Sequence, residues 1–396
     1  MSELNIGVGS ADISENALKY ITDVLRTGRL SYGPYLKRFE REFAKLHGCE
    51  FGLTASSGTD ALRTAIAALK EIHGWADGDE IIVPAITFIA TSNVVLQNNL
   101  KPVFVDVDPL TYNIDPKKIE ERITQRTRAI IPVHLFGLPC DMDPIMDLAR
   151  KHDLRVVEDS CETMFVKYKG KSVGAFGDYS CFSTYVAHLL VTGVGGVILC
   201  NDRDLAITAR SLLNHGRDSI YFSMDDDDNL DRKSLSTVME RRFSFVRMGY
   251  SSRLTELEGA LGLSQLETKD AMLGKRKSNG EYLISHLSKY SDRIQLPTIP
   301  PDRGHAFMLF PIVVKDEKIH RNELTLFLEE RGIETRFLMP LLNQPVYIKL
   351  FGNLEDGYPV AKWINKNGFY LGCHQHLGEK ELDFIVASFD EFFSKN

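Results

Sequence analysis

The sequence predicts an α/β protein, with a large, mainly parallel sheet followed by a smaller C-terminal α+β part. Three observations predict it. From GLTAS to LRVVED, short apolar runs alternate with amphipathic stretches of helical period, the pattern of parallel strands covered on both faces. A continuous helical pattern then runs from Leu254 to Leu287, away from the sheet. Beyond it lie an apolar run, MLFPIVV, a helix over 321–331 and mixed elements to the end. Residues 1–253 are therefore expected as the large domain with N-terminal helices, and 254–396 as the long helix and smaller domain.

The elements follow in order. Leu18, Ile21 and Leu25 give 14–26 a helical face that stops at Gly28, and Leu36, Phe39, Phe43 and Leu46 repeat the pattern before Gly48. Between them SYGP, 31–34, is a turn. GLTAS is a strand, and Gly58 begins a helix with Leu62, Ala65, Ile66 and Leu69 on one side. EIIVPA, KPVFVDV, TRAIIPVH and LRVVED are strands, and 88–97, 115–122 and 143–152 are the intervening helices. Residues 204–214 are helical. Tyr221–Arg242 is acidic and aperiodic, which predicts a long surface loop that can serve as a lid.

Composition narrows the function. A net charge of −7 offers no basic face, so nucleic acid is not an expected partner. Six cysteines without C-x-x-C spacing suit a reducing cytosol and argue against a disulfide framework or a zinc site. The first ten residues lack a basic and an apolar region, so no secretory leader is expected, and no apolar run approaches the ~20 residues of a membrane span.

In open parallel sheets ligands gather beyond the carboxyl ends of the strands. Three such ends carry polar or aromatic groups: 56–59 (SSGT), 85–88 (AITF) and 158–162 (EDSCE). Ser57, Gly58 and Thr59 stand at a helix N-terminus, where backbone N–H groups and the dipole favour an anion. Phe88 is a ring able to stack on a planar group. Asp159 closes an apolar strand, and a buried carboxylate needs a cation or several donors; Glu158 and Glu162 flank it. Ser183 and His188 precede a small-residue turn, Gly193, Gly195 and Gly196, and a histidine can take and return a proton near neutrality. No lysine occurs between Lys171 and Lys233. His374 and His376 form a pair without a third ligand at matching spacing, so no metal is expected.

Taken together, the stretches YGPYLKRFEREFA, SSGTDAL, GDEIIVPAITFIATSNVV, KPVFVDVDPLTYNID, IIPVHLFGLPCDMDPI, VVEDSCE, GAFGDYSCFS, GVGG, NHGRD and GYSSRLTELEGALGLSQL resemble the DegT/DnrJ/EryC1/StrS family of pyridoxal-phosphate-dependent sugar aminotransferases and dehydratases, nearly end to end. The resemblance implies the aspartate-aminotransferase type fold (fold type I), a homodimer with shared active sites, and pyridoxal or pyridoxamine 5′-phosphate as cofactor. It implies that Ser57, Gly58, Thr59 and Ser183 hold the cofactor phosphate, that Phe88 stacks on the ring, that Asp159 partners the pyridine nitrogen and that Glu162 lies near the ring hydroxyl. Ser251 stands where most members have an asparagine reaching the phosphate from the other subunit. Ser31, Gly33, Arg247, Arg253 and Arg336 are candidate substrate contacts on the same analogy.

His188 departs from the aminotransferase pattern, which has a cofactor-linking lysine there. Histidine in its place resembles the branch of 3-dehydratases acting on nucleotide-linked 4-keto-6-deoxysugars such as GDP-4-keto-6-deoxymannose. That implies His188 as acid/base and a freely bound coenzyme. The iron–sulfur members of that branch have clustered cysteines with a C-x-C pair; this chain lacks it, so L-glutamate is expected to restore the amine. Two departures point elsewhere. Phe165 and Val166 stand where a glycine–alanine pair is usual, implying a crowded pocket, and ETRFLMPLLNQPVY is closer to the aminotransferases.

Overall fold

Seven strands form the main sheet of the structure, a computed structural model that describes residues 5–9, 11–219 and 231–395. They are β1 Phe51–Ala55, β2 Glu80–Pro84, β3 Lys101–Val105, β4 Thr127–Ile130, β5 Arg155–Asp159, β8 Tyr179–Ser183 and β9 Gly196–Cys200, in the spatial order β1-β9-β8-β5-β4-β2-β3. Two short strands, β6 Lys167–Tyr168 and β7 Lys171–Ser172, pair with each other apart from it. In the main sheet only β9 runs against its neighbours, pairing antiparallel with β1 and with β8. All other pairings are parallel, as the buried apolar runs predict. The reversal at β9 has a local cause: β8 and β9 are joined by 184–195, too few residues for a crossover helix.

The helices α1 Glu15–Thr27, α2 Pro34–His47, α3 Gly58–His73, α4 Ala90–Gln97, α5 Met142–Lys151 and α6 Arg203–Leu213 lie close to their expected bounds. Ser14 caps α1, and left-handed glycines end α1 and α2. Glu256, at the start of the long helix Glu256–Leu287, accepts hydrogen bonds from the Tyr35 and Leu36 N–H groups at 2.6 and 3.1 Å. A Cβ on Gly33 would fall 2.8 Å from that carboxylate, which accounts for the glycine.

Two expectations fail. Residues 115–122 form two 3-10 turns, Pro116–Lys118 and Glu120–Arg122. Ile119 is their one buried residue, so no apolar face anchors a longer helix. Part of the expected loop 221–242 is a helix, Arg232–Arg241, capped by Asp231 and anchored by buried Val238; residues 220–230 lie outside the described residues.

A second sheet, β10 Ile294–Gln295, β11 Leu309–Val314, β12 Thr335–Phe337 and β13 Gly368–Gly372, is antiparallel in the order β10-β11-β13-β12. The N-terminal segment reaches it: Ile6 bridges Ile333, and the Val8 N–H donates to Glu334 at 2.8 Å. Among the described residues, no helix is long and apolar enough to cross a membrane. All six cysteines are free thiols.

Candidate active site

The carboxyl ends of β1, β2, β4, β5 and β8 open into one cavity of about 450 Å³, closed on the far side by Met308, Leu309, Met339 and Tyr370 from the second sheet's surroundings. Ser57, Gly58, Thr59, Phe88, Asp159, Glu162, Ser183 and His188 all line it. Residues up to 131 positions apart in the chain thus meet where strand order brings their ends together (57 to 188).

Ser57 caps α3, its side chain accepting from the Asp60 N–H at 3.0 Å. The N–H groups of Gly58 and Thr59, at the start of the helix, are left for an anion. Asp60 does not spoil this, because Arg63 pairs with it at 2.6 Å. Gly58 is required by contact: a Cβ there would lie 2.7 Å from Ser183 Cβ and 2.8 Å from Cys161 Sγ. Phe88 lines the same cavity and is 59% exposed, a ring able to stack on a planar group.

Strand alternation separates the two neighbouring carboxylates of β5. Glu158 points away from the cavity and is fully buried. It accepts from the Gly174, Phe176 and Gly177 N–H groups at 2.8, 2.7 and 2.8 Å and lies 3.1 Å from His134 Nε2. Burial pushes this carboxyl up, but the His134 and backbone hydrogen bonds outweigh it and hold it below its ordinary range. Asp159 faces the cavity and is 4% exposed. It receives the Thr91 hydroxyl at 2.8 Å and the Cys161 N–H at 3.2 Å. Burial raises its proton affinity despite these donors. Glu162 accepts only the Phe136 N–H, at 2.8 Å. Burial first, and the Asp159 charge in addition, move it from 4.5 to about 7. Two buried carboxylates share a cavity, and neither forms an ion pair with a described residue. That donor set fits a cationic heteroaromatic ring carrying an anionic tail: cation at Asp159, tail at α3.

A raised carboxyl pKa favours the fold at low pH, and that contribution is lost as pH rises through the folded value. The cofactor-free protein should therefore lose stability between about pH 4.5 and 7 on account of Glu162. Glu162→Gln should flatten this part of the melting-temperature profile; an unchanged slope would contradict the assignment.

His188 sits in the loop after β8, its backbone N–H on Tyr185 O at 2.9 Å. The loop is closed by Thr184 N to Gly195 O and Thr192 N to Thr184 O, both 2.9 Å. The imidazole Nδ1 is buried and has no partner. Burial lowers the ring's pKa from 6.5 to about 4, aided by the nearby Arg276 guanidinium against a favourable Ser183 backbone contact. The ring is thus a neutral base through the physiological range. Among the described residues no lysine lines the cavity.

The remaining candidates are elsewhere. Phe165 does not crowd the cavity: it packs against Phe43 and His47, with ring centroids 5.6 and 4.9 Å away, and Val166 lies against Gly304. Ser31, Gly33, Ser251, Arg247, Arg253 and Arg336 are not among the lining residues of this chain's cavity. Ser251 bridges Asn214 and accepts from Arg253, Arg247 pairs with Glu71 at 2.8 Å, and Arg336 pairs with Glu334. His374 and His376 stand with ring centroids 6.1 Å apart, and no group of three or more potential metal ligands occurs among the described residues. Val8, Thr91, Cys161, Tyr185, Met339 and Tyr370 line the cavity without having been singled out in the sequence. For Thr91 a signal existed, since it stands one helical turn after Phe88's neighbour Thr87. The others carry none.

Comparison with known proteins identifies the family. The model of the DegT/DnrJ/EryC1/StrS aminotransferase family matches residues 11–390. A GDP-perosamine synthase of Caulobacter vibrioides is 33% identical over 395 residues, covering 99% of both chains. A GDP-4-keto-6-deoxy-D-mannose 3-dehydratase of Escherichia coli O55:H7 is 30% identical, covering 96% of this chain and 98% of that one. A solved E. coli structure of GDP-4-keto-6-deoxy-D-mannose-3-dehydratase with bound hydrated pyridoxal phosphate superposes with a TM-score of 0.87 at 28% identity, over 97% of this chain and 99% of that one.

Proposed function

The chain belongs to the DegT/DnrJ/EryC1/StrS aminotransferase family of pyridoxal-phosphate-dependent sugar enzymes, and from that premise we propose that it removes the C3 hydroxyl of a nucleotide-linked 4-keto-6-deoxysugar. The observation that carries this reading is the cavity's base: a histidine with an unpartnered nitrogen and no lysine beside it. Histidine forms no Schiff base, so the cofactor is held by phosphate, stacking and ion-pair contacts alone. When bound, pyridoxamine phosphate supplies an amine for the C4 ketone and a ring that accepts electrons.

The residues divide the work. Ser57, Gly58, Thr59 and Ser183 hold the phosphate, joined by Ser251 from a second copy in a homodimer. Phe88 covers the ring. Asp159 keeps the pyridine nitrogen protonated, and Glu162 meets the ring hydroxyl. With the cofactor bound, His188 would take a proton at the C4′ carbon and deliver it to the departing C3 hydroxyl. L-glutamate restores the amine. Residues 1–253 carry the cofactor and 254–396 close the site.

Incubating the protein with pyridoxamine phosphate, L-glutamate and a panel of GDP-, dTDP- and CDP-linked 4-keto-6-deoxysugars tests this by product mass. Loss of water is expected. Gain of an amine instead would establish the second reading, a nucleotide-sugar aminotransferase, which the 33% identity to a GDP-perosamine synthase and the stretch ETRFLMPLLNQPVY favour. Borohydride treatment of the loaded protein should leave no pyridoxyl mass on any lysine; an adduct by intact mass would overturn the free-cofactor reading.

A further inference from the structure

We propose that Tyr185 hydrogen-bonds the C3 hydroxyl of the sugar and stabilises it as it leaves. This rests on reading the site as one that acts on a nucleotide-linked 4-keto-6-deoxysugar. The cavity has seven hydroxyl-bearing side chains: Ser57, Thr59, Thr87, Thr91, Ser183, Tyr185 and Tyr370. Ser57, Thr59 and Ser183 surround the N-terminus of α3, the anion end. Thr87 and Thr91 are bonded to each other at 2.8 Å, and Thr91 donates to Asp159. Two phenols remain, and neither hydroxyl has a hydrogen-bond partner among the described residues.

They stand on different walls. Tyr370 comes from β13, and burial first, with the nearby Glu162 charge in addition, raises the proton affinity of its hydroxyl. Tyr185 lies on the His188 loop, its ring edge-on to the imidazole at 6.1 Å between centroids. Its main chain is fixed on three sides: the carbonyl receives the His188 N–H at 2.9 Å, the N–H reaches Ser183 Oγ at 3.4 Å, and the residue bridges Gly193. Yet the side chain is 49% exposed at the cavity wall. A pinned backbone presenting a polar ring with no protein partner is arranged for a ligand.

Chemistry selects the atom. C3 is one bond from the carbonyl carbon that joins the cofactor amine, so the leaving hydroxyl lies on the side where His188 works. In the step, the C3–O bond breaks and its electron pair leaves with oxygen. The proton that completes water comes from the imidazolium of His188. Tyr185 donates its hydrogen bond to the oxygen as charge grows there. The apolar wall of Met308, Leu309 and Met339 suits the methyl end of a 6-deoxy ring.

The test uses the His188→Asn protein loaded with pyridoxal phosphate, which binds without turnover. It is titrated with the keto-sugar nucleotide that the wild type consumes and with its 3-deoxy counterpart. Adding Tyr185→Phe, which keeps the ring, should weaken the first by about 3–10-fold and leave the second unchanged. In the His188 protein the same change should lower kcat by about 10–100-fold, raise KM by no more than the loss in binding, and leave cofactor absorbance unchanged. Equal weakening of both ligands, or of neither, overturns the proposal. If the wild type yields an amine while the hydroxyl-specific loss persists, dehydration falls and the contact stands; water loss without that specificity removes the contact alone.

Discussion

Replacing His188 by Asn is expected to abolish turnover, by about 10³-fold or more, while leaving the cofactor bound. The expectation follows from what the ring does and does not touch. Its Nδ1 has no partner, so the substitution breaks no side-chain hydrogen bond of the fold at that atom. The loop is held by backbone bonds at Tyr185, Thr184 and Thr192, which asparagine preserves. In the proposed arrangement the cofactor's contacts lie on α3, β5 and Phe88, not on the imidazole. What disappears is the one imidazole lining the cavity among the described residues, with a pKa of about 4 that keeps it ready to accept a proton at neutral pH. Cofactor absorbance and product mass on the same sample separate binding from chemistry. An undiminished rate of product formation would remove His188 from the mechanism.

Asp159→Asn is expected to cost about 10²–10⁴-fold in rate, on the scale of losing a preorganised electrostatic contact. The variant keeps the local hydrogen bonds, because an amide oxygen still accepts from Thr91 and Cys161 N–H. The fold should therefore survive. The amide cannot balance a protonated pyridine, so the ring loses its strength as an electron acceptor. Burial raises the proton affinity of Asp159, and a cation beside it would offset that cost. The absorbance of the bound cofactor should shift along with the rate. Retained activity with an unshifted spectrum would refute the pyridine contact.

The adjacent pair Glu158 and Asp159 shows how far the sequence reaches. Both were legible as carboxylates at the end of an apolar strand. Period two says they face opposite ways, but not which face opens to the cavity. The answer came from the Gly174–Gly177 turn, whose N–H groups claim Glu158. Phe165 taught the same lesson in reverse. Its place after EDSCETM suggested a crowded pocket, yet it faces Phe43 and His47 on the other side of β8. At 115–122 the alternation of strands and helices predicts a helix, but one buried isoleucine is too little to hold it.

What the sequence by itself determined is what depends on near neighbours: the strand and helix alternation, the Ser57 cap at the start of α3, the histidine loop with its glycines, and the family to which these motifs belong. Each arises from residues a few positions apart, where periodicity and turn chemistry act. Only the tertiary structure decided which groups share the cavity, because Val8, Asp159, His188 and Tyr370 meet through strand order and through the second sheet folding back over the first. Those contacts span hundreds of residues, and burial at their meeting point sets the proton affinities of His188 and Glu162, which no local pattern encodes.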